Sequence, residues 1–448
     1  MIGRWFAMAV LAMVGVACVE SFPVDGRPCP CASDYQCCAG RCVLRAVTCP
    51  GAMQDAAGVD RDAGIDARDV ASVVDVAPVD VAPDVAVDAG GSDADAAVVS
   101  PTWQTVQGFA AELIATFDIR LGSDGLPFVA VSRLMPGNGR SRFINVFHQL
   151  PSGAFAQLGG DLQGPPFPIL FALSPDDVPY VANSLGVFRF DAPSQMWTML
   201  PAMPDTMVVP LSSSAIGVDK SARLHVVAET IAERAFRVVR WSGAGWELLG
   251  QPGSLGTARF WPLFAWDGAG SPYLASNDAD NTRTDLFQLI GTDWKVLGGS
   301  GLITPASGGV PAVASDGTAY LVNAQPGTLV VDRLEKSRQT PWEALEALVT
   351  PYNVTPPPPG AEVGADGRLY VGYLGNRAGG VDIVPGPMVA RRDGDKWTVL
   401  TTDGLDASVI DGIRLRIGGN AQAPTIYLGY LRSSQLTLKR LAPNQPGP

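Results

Sequence analysis

The sequence predicts an all-β fold over residues 101–448, a closed ring of seven repeated sheets with four short strands each. Three observations predict it. A turn followed by an aromatic and small apolar residues recurs seven times. A tryptophan three residues ahead of an aliphatic recurs in phase with it. The last repeat lacks that tryptophan strand, and a matching strand stands ahead of the first repeat.

The first signal reads Asp124-Gly125-Leu126-Pro127-Phe128, Asp177-Val178-Pro179-Tyr180, Arg223-Leu224-His225, Gly270-Ser271-Pro272-Tyr273, Asp316-Gly317-Thr318-Ala319-Tyr320, Asp366-Gly367-Arg368-Leu369-Tyr370 and Pro424-Thr425-Ile426-Tyr427. Its aromatic positions advance by 52, 45, 48, 47, 50 and 57 residues. The second signal is Trp197…Leu200, Trp246…Leu249, Trp294…Leu297, Trp342…Leu345 and Trp397…Leu400, with Phe155…Leu158 in the same slot earlier. Segments such as 236–241 and 436–441 alternate apolar and polar residues, which marks half-buried strands, and Asp, Gly and Pro cluster between them as turns. Four strands in ~50 residues resemble the blade of a β-propeller. The turns are similar to those of NHL repeats, and the GH…WD signature is absent. After Tyr427 the chain reaches Pro448 without a tryptophan, whereas Trp103-Gln104-Thr105-Val106 lies 25 residues before Phe128. The expectation is a seven-bladed β-propeller whose N-terminal strand completes the last blade, so that no sheet edge is left open at the seam.

Ahead of the ring, residues 1–17 carry Arg4 and an apolar run from Trp5 to Ala17, thirteen residues. That is short of the ~20 residues a spanning helix needs and has the form of an export signal. Val14-Gly15-Val16-Ala17-Cys18 resembles the lipobox of bacterial lipoproteins, with Gly15 where that family favours leucine. The resemblance implies cleavage before Cys18 and acylation of its thiol, giving attachment to a bilayer. Val19 rather than aspartate follows the cysteine, which in enterobacterial lipoproteins permits transfer to the outer membrane. Cysteine parity favours the anchor over simple secretion. The chain has seven cysteines, all before residue 50, and removing Cys18 leaves an even six.

Those six, Cys29, Cys31, Cys37, Cys38, Cys42 and Cys49, fall within 21 residues in segment 18–50. So short a segment cannot form a core, and in an oxidising compartment disulfides would order it. A zinc site is the rival, but the segment has no histidine. The adjacent Cys37-Cys38 resembles the knottin pattern, which implies pairing of first with fourth, second with fifth and third with sixth. The single residue between Cys29 and Cys31 departs from it. Residues 51–100 hold eleven aspartates, two arginines and no aromatic residue, a charge of −9. This composition predicts an extended, disordered tether. The ring itself carries only −4 of the total −12, so charge does not point to nucleic acid.

Residues that recur in most repeats read as scaffold. On that rule the tryptophans are wedges between blades, and Arg189, Arg240, Arg333, Arg391 and Arg440 share a third-strand slot. His225 reads as a hydrogen-bonded core histidine. Function is sought where repeats differ, on the rim formed by the loops at 133–142, 277–285 and 374–387 together with the blade-joining segments. Candidate ligand residues there are Phe167, Arg259, Trp261, Tyr352 and Arg377, an aromatic-plus-arginine set suited to a neutral glycan or a peptide. Asp278-x-Asp280 with Asp285 offers oxygen ligands of the kind calcium takes, without the glycine of an EF-hand loop; a solvated turn explains it as well, and no cofactor is expected. No thiol follows Cys49, the chain has only two histidines, and G-x-S-x-G and HExxH are absent. Paired carboxylates remain available among Asp267, Asp278, Asp403, Asp406 and Asp411. The expectation is an exported, lipid-anchored, monomeric binding protein of the cell envelope that takes a glycan or a surface-protein partner, with no catalytic residue assigned. A hydrolase or lyase acting on extracellular polysaccharide is the alternative.

Overall fold

The computed structural model describes residues 35–38 and 41–44 and, from 101 to 442, all but 107–112, 135–141, 165–168, 205–206, 210–213, 231–234, 251–254, 256–259, 279–282, 300–301, 304–308, 326, 336–341, 350–357, 378–383 and 407–411. The signal segment, Cys18, Cys29, Cys31, Cys49 and the linker 51–100 lie outside the described residues. The chain divides into two units, Met1–Gly91 and Ser92–Pro448. In the first, Tyr35–Cys38 and Arg41–Leu44 pair antiparallel, with Cys37 opposite Cys42 and Cys38 opposite Arg41.

The second unit is a seven-bladed β-propeller. Blade 1 runs outward through Ile114–Leu121, Pro127–Leu134, Arg142–Gln149 and Phe155–Gln157. Blade 2 comprises Leu170–Leu173, Pro179–Asn183, Gly186–Asp191 and Met196–Met199. Blade 3 has Ile216–Val218, Leu224–Thr230, Ala235–Trp241 and Trp246–Leu249, with Met207–Val208 pairing farther along its second strand. Blade 4 has Phe260–Trp266, Pro272–Asn277, Arg283–Ile290 and Asp293–Val296, and blade 5 has Val310–Val313, Ala319–Gln325, Thr328–Leu334 and Glu343–Ala344. Blade 6 has Gly360–Val363, Leu369–Arg377, Val384–Asp393 and Lys396–Val399. The innermost strands touch their neighbours in a closed circuit from blade 1 round to blade 7 and back.

Blade 7 takes three strands from the C-terminus, Gly412–Gly419, Pro424–Arg432 and Gln435–Leu441, and its fourth, Gln104–Thr105, from the N-terminus. Gln104 lies opposite Arg440 and Thr105 opposite Lys439. The Val106 amide donates to Leu438 O at 2.9 Å, and the Trp103 amide donates to Asp403 O at 2.9 Å. The ring is therefore closed as the sequence predicts.

Packing follows the repeat. The blades are buried on both faces, Tyr180 and Ala182 entering one core and Val181 the next, and each of the seven blade interfaces is a separate core. One joins blades 1 and 2 around Phe128, Ile144 and Phe171, and the next joins blades 2 and 3 around Tyr180, Leu200 and Val226. The last, around Ile119, Val131, Tyr427 and Leu438, joins blade 7 to blade 1.

The outer-strand tryptophans tie each blade to the one before it. The indole N–H of Trp197 donates to Leu158 O at 3.0 Å, Trp246 to Pro201 O at 2.7 Å, Trp294 to Leu249 O at 3.1 Å and Trp397 to Glu346 O at 2.7 Å. Each acceptor lies at or just beyond the end of the outer strand of the preceding blade. Trp342 in blade 5 lies against Gly298 of blade 4 in the same arrangement. Trp103 repeats the bond for blade 7, donating to Thr401 O of blade 6 at 2.7 Å, and is 3% exposed. Blade 1 alone carries phenylalanine, Phe155, in this slot, and so has no donor there.

The shared arginines are scaffold too. Arg189, Arg240, Arg333, Arg391 and Arg440 lie directly opposite Tyr180, His225, Tyr320, Tyr370 and Tyr427. Arg240 is also paired with Glu247 at 2.6 Å, Arg333 with Glu343 at 2.7 Å and Arg391 with Asp393 at 2.9 Å.

Candidate ligand-binding channel

The second-to-third-strand loops and the blade-joining loops share one rim; the first-to-second-strand turns share the other. On the turn rim the aspartates close Asx-type turns. Asp124 accepts from the Leu126 amide at 2.8 Å and Asp366 from the Arg368 amide at 3.1 Å. On the loop rim the strands run farther than the sequence suggests. Arg377 pairs with Val384 and Leu134 with Arg142, which narrows the loops expected at 374–387 and 133–142 to 378–383 and 135–141. The backbone of Trp261 stands at the loop-rim end of blade 4's innermost strand, and that of Arg377 at the loop-rim end of blade 6's second strand. Phe167, Arg259 and Tyr352 lie outside the described residues.

Of the described carboxylates considered for catalysis, Asp267 stands on the turn rim and Asp278, Asp403 and Asp406 on the loop-rim side. Asp267 caps a turn on the turn rim, accepting from the Ala269 and Ser271 amides at 2.9 and 2.8 Å. Asp278, on the opposite rim of the same blade, accepts from the Arg283 amide at 3.2 Å. Asp406 accepts from the Tyr430 hydroxyl at 2.6 Å. Asp403 lends its carbonyl to Trp103, and Asp411 lies outside the described residues. Of the calcium candidates, Asp285 sits within a strand opposite Ser276, and Asp280 lies outside the described residues. Among the described residues, no three His, Cys, Asp or Glu side chains gather in a group able to hold a metal.

His225 is a core residue. It is 2% exposed, its Nδ1 lies 3.0 Å from Arg223 O, and its ring meets Phe264 and Trp266 edge-on. Burial pushes its pKa down to about 4 against the pull of Asp219, so it is neutral at pH 7.

One slot on the innermost strands breaks the sevenfold pattern. The innermost-strand residue opposite each anchor aromatic is Ala172, Gly217, Ala265 and Ala312 in blades 2 to 5. In blades 6, 7 and 1 the same slot holds Glu362, Arg416 and Arg120. Two residues toward the loop rim, blades 7 and 1 add Arg414 and Asp118.

Each of these side chains reaches on to the next blade. Glu362 accepts from the Ile417 amide at 3.0 Å. Arg416 bonds Asp118 at 3.1 Å, and Arg120 donates through Nε and Nη2 to Phe171 O at 3.2 and 3.1 Å. Asp118 also pairs with Arg120 at 3.0 Å, while Arg414 stands off at 3.8 Å. The result is a charged arc of three guanidinium groups and two carboxylates on one side of an otherwise apolar or small-residue wall.

The arc is desolvated yet reachable. The Arg120 and Arg414 side chains keep 33% and 37% of their surface accessible, although protein surrounds them, as befits groups lining a shaft. Burial, with Arg416 nearby, lowers the Arg120 pKa to about 10, and burial lowers that of Arg414 as well. Burial also raises the Glu362 carboxyl above its usual range despite Arg416 and Arg120. Both arginines remain cations at neutral pH, so the arc is net positive. Arg416 Nε is buried without a hydrogen-bond partner.

A sequence signal for this arc exists. Eight residues before the anchor aromatic the chain reads Arg120, Ala172, Gly217, Ala265, Ala312 and Glu362; in blade 7 a longer turn sets Arg416 eleven before Tyr427. Comparing loops alone overlooks it.

No family model matches the chain, and no curated protein sequence matches it. Among solved structures it is similar to the extracellular domain of BT4673 from B. thetaiotaomicron, at 9% identity and a TM-score of 0.45. That likeness covers 75% of this chain and 39% of the other, so the chain spans about two fifths of that protein's length. Polysaccharide lyase Uly1 is similar at 8% identity and a TM-score of 0.43, with 75% and 91% covered. YCF48 from Cyanidioschyzon merolae is similar at 12% identity and a TM-score of 0.45, with 75% and 98% covered. These likenesses concern the fold alone.

Proposed function

We propose that this is an exported lipoprotein, acylated at Cys18, that displays a non-catalytic propeller from the outer membrane and binds a glycan entering from the loop rim. One observation carries the binding reading: a slot filled by alanine or glycine in four successive blades holds Glu362, Arg416 and Arg120 in the other three. Scaffold needs would repeat with the blades, and this set does not. Charged groups set in a wall of partly desolvated strands cost stability unless something is gained from them. Because the arc stands on innermost strands rather than on loops, a slender chain end fits it better than the face of a folded partner. The aromatic and arginine residues Phe167, Arg259, Trp261, Tyr352 and Arg377 would flank its entrance.

The mature full-length protein, applied to an array of extracellular and cell-wall glycans, is expected to give a saturable signal without product release. Absence of binding to every glycan would defeat the reading, and release of shortened products would turn it toward a hydrolase or lyase. For the anchor, labelled palmitate should enter the wild-type chain and not Cys18→Ser; equal labelling would refute acylation at that residue.

A further inference from the structure

We infer that the arc of Arg120, Arg414 and Arg416 is a subsite for one oxyanion carried on a sugar, so that the glycan is an acidic one. This rests on the binding reading above and narrows its ligand class.

The donors are already biased toward such a group. Asp118 engages Arg416 at 3.1 Å and Arg120 at 3.0 Å, which consumes its oxygens on one side of the arc. Arg414 is left 3.8 Å from it; its guanidinium donates to the Ile413 carbonyl at 2.8 Å and lies over the Phe117 ring at 5.9 Å. Arg414 is also the member nearest the loop rim, third in the strand Gly412–Gly419. It is thus the first guanidinium that an entering ligand meets. Behind it, Arg416 Nε has no acceptor.

A planar fork of N–H donors matches a carboxylate bidentately and a sulfate nearly as well, whereas a neutral hydroxyl would leave the net positive charge unanswered. The matching residues of blades 2, 4 and 5, Ala172, Ala265 and Ala312, are small and apolar and offer no competing charge. Glu362 is turned to the Ile417 amide and away from this role.

The test uses the mature full chain, calorimetric titration and three probes: oligogalacturonate, a sulfated galactan oligomer and a neutral galactan oligomer. At least one acidic probe is expected to bind about ten- to a hundredfold more tightly than the neutral one, the preference shrinking as salt rises. Arg414→Ala should remove that preference, lowering acidic-probe affinity toward that of the neutral probe. Because Arg414 lies over the Phe117 ring across the blade interface, the Tm of the variant is measured beside its binding, and Arg414→Lys should restore part of the preference.

Preference for the carboxylate over the sulfate, or the reverse, identifies which oxyanion the arc takes. Equal binding of all three probes, indifferent to Arg414→Ala, would overturn the inference while leaving a glycan-binding propeller. No binding of any probe would overturn the inference, while the binding reading falls only if the glycan array is also blank.

Discussion

Ring closure by the N-terminal strand can be tested at a single side chain. Trp103 is 3% exposed and belongs to the core between blades 6 and 7, with Tyr370, Leu405, Leu428 and Leu441. Its indole N–H donates to Thr401 O at 2.7 Å and its amide to Asp403 O at 2.9 Å. Truncating a buried tryptophan to alanine removes its transfer energy and leaves a cavity, about 3–5 kcal/mol together. Restoring the ring without the donor, as Trp103→Phe, should recover most of that and forfeit about 1 kcal/mol for the hydrogen bond. Blade 1 already uses this phenylalanine solution at Phe155. The neighbouring Gly404 offers an independent probe. Its φ is +83° and an added Cβ would stand 2.2 Å from Trp103 O, so Gly404→Ala should act in the same direction. Urea unfolding followed by tryptophan fluorescence and by far-UV dichroism would measure each variant, and Trp103→Ala should lower Tm by on the order of 5–10 °C. Trp103→Ala with the stability of the wild type would refute closure at this strand.

Two pH effects of opposite sign follow from buried groups. His225 has a folded pKa lowered to about 4, so the folded state holds fewer protons than the unfolded chain below the ordinary histidine value. Its contribution is complete above ~6.5 and is lost as pH falls from there toward 4. Replacing it by the phenylalanine found in this slot of blade 1 should flatten that part of a Tm-versus-pH curve, and an unaltered slope would refute the assignment. Asp332, buried on the third strand of blade 5, has its carboxyl pushed up to about 6 by desolvation. Its ionisation therefore costs stability as pH rises from ~4 through 6. Asp332→Asn should stabilise the fold at pH 7 by on the order of 1–3 kcal/mol and by little at pH 4, whereas equal effects at the two pH values would remove this account.

The fold was legible because its signals are local and repeated. The tryptophan slot and the turn-aromatic anchor each encode a contact that recurs round the ring: an indole bond to the preceding blade in most blades, and an aromatic opposite a third-strand residue that is arginine in five blades. Even the closure was readable, since a deficit in the last repeat matched a surplus at the front. The loop boundaries were less so, because Leu374-Gly375-Asn376-Arg377 has no alternation, yet it pairs with 384–387 by continuing an established ladder. The charged arc was missed for a different reason. Arg120, Glu362 and Arg416 are ordinary residues one at a time, and blade 1 joins blades 6 and 7 only when the ring closes. In sequence, Asp118 and Arg416 are 298 residues apart; in the ring they are 3.1 Å apart.

The same meeting of the ends ties the arc to the stability of the ring. The pairing of Gln104 and Thr105 with Arg440 and Lys439 is the one place where blade 7 is completed by a distant part of the chain. With that pairing undone, the three C-terminal strands would still face blade 1 through the core around Ile119 and Tyr427, the Arg416–Asp118 pair and the Ile114 amide bond to Ser434 O. A ligand held by Arg414 and Arg416 on one side and Arg120 on the other crosses this interface. Any molecule that binds the closed ring and not the opened one must stabilise closure by mass action. Occupancy of the channel and retention of the Trp103 strand are therefore two halves of one equilibrium, and the seam is where a repeated scaffold could acquire an unrepeated site. Elsewhere the blades constrain one another through equivalent contacts, but across the seam the innermost slots are free to differ.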